Sequence, residues 1–302
     1  MVSEIPAFLI TFREALEAAL IVAIVLAYLK KIGKMGVTRY VWFGTSLAIG
    51  ISVAAGGALF VLYGGLSGVA TELFEGLASL TAMGILTYMI FWMAKNSKRI
   101  KGELERKIDL SLTKGQLLGI ATLAFVAVFR EGIETVLFLT ALFVSDVSGS
   151  VVGILVGVLT VGLLGTLKLK GSVRLPVRSF FKYTSVLLLI FSAGLFGAGI
   201  HELIEASGGS GFELGILAQA PFNINPGDSG NPLHEKGIIG SILKALLGYD
   251  GNPEWLRLVG YIGYWLVIGA YLIKTYAPSL SINISTLLRL RRTLPRRDEQ
   301  TI

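Results

Sequence analysis

The chain has no cysteine, and only two histidines and eight prolines among its 302 residues. The absence of cysteine excludes disulfides, thiolate metal sites and cysteine nucleophiles. Charge is scarce too. Only 16% of residues are Asp, Glu, Lys or Arg, against 53% hydrophobic, with a mean hydropathy of +0.72. Soluble domains carry about 25% charged residues, so this composition points to a chain that crosses a membrane several times. No basic region precedes the first apolar run, and that run holds charges of its own. It therefore reads as a true span rather than a cleavable signal peptide.

A span needs about 20 mostly apolar residues. Seven stretches qualify: 5–29, 40–63, 71–94, 115–145, 147–167, 185–206 and 256–276. The Gly-rich patches AAGGALF and SAGLFGAG within them suit close helix packing in lipid. The basic residues support the count. Of the 27 lysines and arginines, 22 fall in the first, third and fifth connections and the C-terminal tail. Lys236, Lys244 and Arg257 lie on the opposite side, and Arg13 and Arg130 lie inside spans. The positive-inside rule then puts the N-terminus outside and the C-terminus in the cytoplasm. The net charge of +7 is thereby explained as a topology signal, with no call for nucleic acid as a partner.

Two of the rare charged clusters sit in apolar runs and resemble each other. FREALEAAL begins at Phe12 and FREGIETVL at Phe129, aligning Arg13 with Arg130, Glu14 with Glu131 and Glu17 with Glu134. The first lies on span one and the second on span four. Three spans separate them, an odd number, so the two helices must run antiparallel. Spans one to three and four to six then form an inverted repeat, a common plan of secondary transporters whose substrate site lies near mid-membrane. At about 1.5 Å per residue, Glu14 and Glu17 fall roughly 13 and 18 Å below the outer surface, and Glu134 and Glu131 roughly 15 and 20 Å.

The expected architecture is all-α. Its units are a first three-helix repeat over 1–98, a cytoplasmic linker over 99–114 and a second, inverted repeat over 115–206. An extracytoplasmic loop over 207–255, a seventh span over 256–278 and a basic cytoplasmic tail over 279–302 complete it.

In R-E-x-x-E both glutamates lie on one helix face, and the arginine is four residues from the second. Two facing copies give four carboxylates, Glu14, Glu17, Glu131 and Glu134, with Arg13 and Arg130 as supporting ion pairs. Carboxylates from facing helices hold iron or manganese in bundle proteins. Oxygen ligands suit hard cations such as ferric iron, manganese, magnesium and calcium. Buried ion pairs alone contribute little net stability, whereas ionisable groups within a membrane mark transport pathways. Glu17 and Glu134 are expected to carry most of the function.

A second cluster, where metal would arrive, is expected at the outer surface. It comprises Glu72 and Glu75 at the start of span three and His201, Glu202 and Glu205 at the end of span six. His201 and Glu205, at i and i+4, share a helix face. In the outer loop, HEKGIIGSILKALLGY reads as a short amphipathic helix lying on the membrane or over the mouth of the path.

On these residues the chain resembles the oxidase-dependent iron permeases, the ferric-iron transporters of fungal and bacterial membranes. Their signature is two R-E-G-x-E motifs, in spans one and four of seven. Arg130-Glu131-Gly132-Ile133-Glu134 fits it fully, and the first copy has Ala15 where glycine is usual. EGLASLTAMGILTYMIFWM from Glu75, HELIEA at His201 and GSILKALLGYDGNPEWLRLVGYIGYW also look like the family. The resemblance implies a plasma-membrane permease and no enzyme. Ferric iron would be the transported substrate and the motif glutamates its ligands, with no organic cofactor. An extracytoplasmic oxidase or iron-binding protein would be its partner. Two alternatives stand beside it: a permease of the same build for manganese or lead, and a membrane di-iron oxidase. The latter would ordinarily add an E-x-x-H pair, which neither motif contains.

Overall fold

In a computed structural model of the chain, the described residues are 4–96, 99–113, 117–143, 147–169, 177–227, 231–235 and 237–276. The basic tail over 279–302 lies outside them. They form nine α-helices and no strand, in keeping with the all-α expectation: α1 Glu4–Lys31, α2 Thr38–Gly64, α3 Val69–Asn96, α4 Ile100–Thr113, α5 Leu117–Phe143, α6 Val147–Leu169, α7 Val177–Gly209, α8 Ile238–Leu247 and α9 Trp255–Tyr276. Five stretches are long and apolar enough to cross a membrane: Met35–Gly64, Val69–Asn96, Val147–Thr166, Phe181–Gly209 and Trp255–Lys274. Helices α1 and α5 are as long, at 28 and 27 residues, but each carries one arginine and two glutamates near its middle. The segment expected as a linker contains α4. Its Ile108 is fully buried against Val25, Leu29 and Ile120, while Asp109 accepts a hydrogen bond from Tyr28 at 2.7 Å.

Small residues set how the long helices meet. A β-carbon at Gly44 would lie 2.1 Å from the carbonyl oxygen of Ala121, one at Gly132 would strike Ser52, and one at Gly56 would touch Val136. The numbers rise together, so α2 and α5 run parallel in van der Waals contact. Gly153 meets Glu4 and Phe8, and Gly157 meets Phe8 and Phe12. Helices α1 and α6 are therefore parallel too. Helix α3 runs antiparallel to α7, with Gly76 beside Gly199 and Leu203, and with Ser192 donating to the carbonyl of Met83. Helix α9 runs antiparallel to α7 in turn, since Arg257 meets Gly197 and Tyr264 meets Leu189.

The dominant pairs are α2 with α5, α1 with α6, α3 with α7, and α1 with α5. Exchanging α1 with α5, α2 with α6 and α3 with α7 returns the same set of pairs. Helices α1 and α5 cross between two apolar clusters. One holds Ala7 and Ile10 of α1 with Phe138, Leu139 and Leu142 of α5. The other holds Val22 and Val25 of α1 with Ile120, Ala124 and Val128 of α5. The charged residues of both motifs lie between them.

The two glycine contacts at symmetric positions give a first prediction. Gly44→Ala and Gly153→Ala each force a methyl against backbone atoms that cannot rotate away. Each should destabilise the detergent-purified protein by about 1–3 kcal/mol, seen as a lowered thermal midpoint. Gly50→Ala, where an added β-carbon meets open space, should not lower the midpoint and should raise it slightly, since alanine is the better helix former.

Candidate functional site

The charged residues of the two motifs are buried differently. Arg13 is 1% exposed and reaches Glu14 at 2.5 Å and Glu17 at 2.8 Å. The amino group that pairs with Glu17 also lies 2.6 Å from the sulfur of Met89 on α3. Arg130 is 40% exposed and bonds Glu134 at 2.9 Å through Nε, with Glu131 at 4.0 Å. Its guanidinium stacks 4.5 Å over the ring of Trp92, one helical turn along α3 from Met89. A cation over an indole face is stabilised by the ring quadrupole. That contact replaces the second close carboxylate that Arg13 has and Arg130 lacks.

The expected meeting of carboxylates from both motifs is observed, and its membership is specific. Oxygens of Glu14, Glu131 and Glu134 lie within 4.8 Å of one another. Glu17 is turned to Arg13 and is not one of the three. Among the described residues, Oε2 of each trio member and Oε1 of Glu17 are buried with no hydrogen-bond partner. A buried polar atom without a partner is costly, and a cation among these carboxylates would offset that cost. All three donors are oxygen, the chemistry of hard and borderline ions.

The outer cluster assembles as a second group at the far ends of α3 and α7. Glu75 accepts a hydrogen bond from Tyr63 of α2 at 2.7 Å and is within hydrogen-bonding reach of Glu202. His201 lies 3.6 Å from Glu205. Glu72 points towards Gly209, near the end of α7. Met89 lies fourteen positions beyond Glu75, so Glu75 stands about 21 Å along α3 from the residue that touches Arg13.

Tyr63, Trp92 and Glu254, which bonds His201 at 2.6 Å, were not anticipated. Each acts across helices, and no spacing within one helix reveals such a pairing. The only sequence signal for Glu254 is its place directly before the last span, in GNPEWLR. The amphipathic helix of the outer loop exists as α8, but Gly248 at its C-terminus packs against Gly194, midway along α7. That close approach and its φ of 68° both need glycine.

Comparison with known proteins follows the same residues. The Iron permease FTR1 family matches residues 4–276. A protein of Archaeoglobus fulgidus, whose name assigns no function, is 43% identical over 267 residues, covering 88% of this chain and 94% of its own. The Ferrous iron permease EfeU of Yersinia pseudotuberculosis is 35% identical over 298 residues, covering 98% and 100%. That of Escherichia coli O6:K15:H31 is 34% identical over 263 residues, covering 86% and 90%. No solved structure matches the chain.

Ala15, the departure from the R-E-G-x-E pattern, has a packing explanation. Gly132 lies under Ser52 of α2, whose Oγ would sit 2.1 Å and Cβ 2.8 Å from an added β-carbon. The symmetric position, Ala15, packs its methyl into the cluster of Phe12, Leu16 and Val161. Glycine is required where the crossing is tight, and alanine fills the looser one. Gly132→Ala should therefore impair folding and transport, by about 1–3 kcal/mol in stability, and Ser52→Gly should restore both. Ala15→Gly should cost no more than about 1 kcal/mol, the helix-propensity difference. Thermal midpoints and uptake by the four proteins check this.

Proposed function

The chain belongs to the Iron permease FTR1 family, and from that premise we propose that it imports iron across the plasma membrane by alternating access through the trio of Glu14, Glu131 and Glu134. The observation that carries this reading is the meeting of three buried carboxylates from the two motif helices, each with one oxygen that lacks a hydrogen-bond partner among the described residues. Seven spans are supported by the alternating directions of α1, α2, α3, α5, α6, α7 and α9, and an outside N-terminus by the basic residues of the odd-numbered connections. The inverted repeat is supported by the exchange symmetry of their contacts. The apolar clusters above and below the trio are suited to act as two barriers, opened in turn as the repeats shift.

Charge favours the ferrous ion as cargo, although the resemblance alone implied ferric iron. The four motif glutamates and two arginines leave a formal charge of minus two. A divalent cation neutralises this where uncompensated charge is expensive, whereas a trivalent one leaves an excess. The names of the EfeU relatives agree. The outer cluster of Glu72, Glu75, His201, Glu202 and Glu205 is the capture site in this reading. An extracytoplasmic iron-binding protein or oxidase would deliver the metal there. Oxygen-only donors also accept manganese, so selectivity is part of the test.

Radioiron uptake into proteoliposomes, with iron kept reduced by ascorbate or supplied as ferric citrate, tests the proposal. Uptake should be faster from reduced iron, and excess manganese should compete weakly. Glu14→Gln, Glu131→Gln and Glu134→Gln should each lower uptake at least tenfold, since even a residue that only supports a metal ligand is worth about 10–100-fold. Glu17→Gln should lower it less. Normal transport by the three trio variants would refute the site.

A further inference from the structure

Helix α7 carries one of the two histidines of the chain, His201, at the outer cluster. Its Nδ1 lies 2.6 Å from Oε1 of Glu254, and its Nε2 lies 3.6 Å from Oε1 of Glu205. An ionised carboxylate only accepts hydrogen bonds, so in the neutral ring Nδ1 holds the proton and Nε2 presents its lone pair. The lone pair faces Glu205. A separation of 3.6 Å is too long for a hydrogen bond, but it suits two ligand atoms sharing one ion at about 2.1 Å each.

Glu254 is held firmly enough to dictate that tautomer. It stands at the start of α9, where its carbonyl accepts the amide hydrogen of Leu258 at 2.9 Å. The next residue, Trp255, donates its amide to Gln219, and Ile224 donates to Gly251. Asp250 is paired with the buried Arg257, which lies on Gly197, one turn of α7 below His201. Gly248 anchors the other end of the segment on Gly194. The Glu254 side chain is 14% exposed, and its Oε2 has no partner among the described residues. The segment from Gly248 to Glu254 thus brings one fixed carboxylate to one imidazole. A carboxylate behind a histidine orients the ring and makes it a stronger metal ligand.

We propose that Glu254 is the positioning residue of the outer capture site, locking His201 with Nε2 directed at Glu205 so that the two take up a divalent cation together. This rests on the reading of the outer cluster as the place where iron arrives. Glu254 lies outside the symmetric repeats, so capture is built onto the transport core by the loop before α9.

The chain has two histidines, His201 and His234, so nitrogen-15 histidine labelling of the whole protein in nanodiscs gives two imidazole signal sets, assigned with His234→Gln. His201 should show the Nδ1–H tautomer. Glu254→Gln, whose amide oxygen still accepts, should keep it, and Glu254→Leu should lose it. Anaerobic Fe2+ should broaden the His201 signals before those of His234. In proteoliposomes the KM for Fe2+ should rise about tenfold in Glu254→Leu, with the maximal rate unchanged, as expected when only capture is lost. His201→Ala should behave alike, and the double variant should be no worse than either single one. An Nε2–H tautomer in the unmodified protein, or additive effects in the double variant, would overturn the positioning role. If the tautomer depends on Glu254 as expected but Fe2+ neither broadens His201 nor changes KM in the variants, the bond stands and the capture reading fails, taking the proposed role with it. If Glu254→Leu does not fold, Glu254→Gln must still raise KM, by less than tenfold, or the proposal is wrong.

Discussion

The burial of Arg13 between Glu14 and Glu17 is the constraint from which the rest follows. A guanidinium sealed between apolar layers is tolerable only with carboxylates at contact distance, and α1 supplies both from its own next turn. One arginine balances one carboxylate, however, so the motif leaves a negative charge in the membrane interior. The second motif, on α5, adds another. The structure brings the two excesses together, which in isolation would raise the cost through like-charge repulsion. The arrangement is intelligible if the native task includes a cation for part of each working cycle. Simple structural pinning would be served better by apolar contacts of the same volume.

Helix pairing makes that meeting possible. The parallel contacts of α2 with α5 and α1 with α6 are close because glycines face backbone atoms across them. These two pairs hold α1 and α5 across the middle of the bundle, where α3 passes and touches both arginines through Met89 and Trp92. The apolar residues on either side of the charges are neighbours in sequence as well as in space. In α1, Ala7 and Ile10 precede Arg13, and Val22 and Val25 follow Glu17; in α5, Val128 precedes Arg130, and Phe138 follows Glu134. The same short stretches therefore encode the charged layer and the apolar clusters on either side of it.

Much of this was legible in the sequence. The duplicated triplet, the odd number of spans between its copies and the basic connections led to the inverted plan that the proposed function adopts. The all-α class and the outer group followed from hydropathy and from helical spacing. What could not be read is which partner each charged group takes. Arg13 and Arg130 occupy equivalent places in nearly identical strings, yet one holds two carboxylates and the other holds one and a tryptophan. The difference arises from α3, which lies outside both motifs. Ala15 and Gly132 are likewise separated by what crosses them, Ser52 in one case and Val161 in the other. Glu254 was invisible because its histidine is 53 residues away, and helical periodicity is silent at that range.

The symmetry is broken at the exchanged positions that would matter most for movement. Arg13 is sealed, with its guanidinium bound on several sides, so the α1 half of the site is fixed. Arg130 is the more exposed of the two and is held by one carboxylate and one aromatic face. It also borders a cleft between α4 and α5 lined by Lys107, Ser111 and Thr122. A cation–π contact in a partly exposed setting is worth on the order of 0.5–1 kcal/mol, less than displacing a buried ion pair would require. In the proposed site, a cation among Glu14, Glu131 and Glu134 would compete with Arg13 for Glu14 and with Arg130 for Glu134, but Arg13 would keep Glu17, which is not in the trio, whereas Arg130 would keep only Trp92. On that proposal, arrival of the ion would loosen the α5 half first, because Arg13 retains a carboxylate and Arg130 does not. The internal duplication would then let one half respond to cargo while the other keeps its shape.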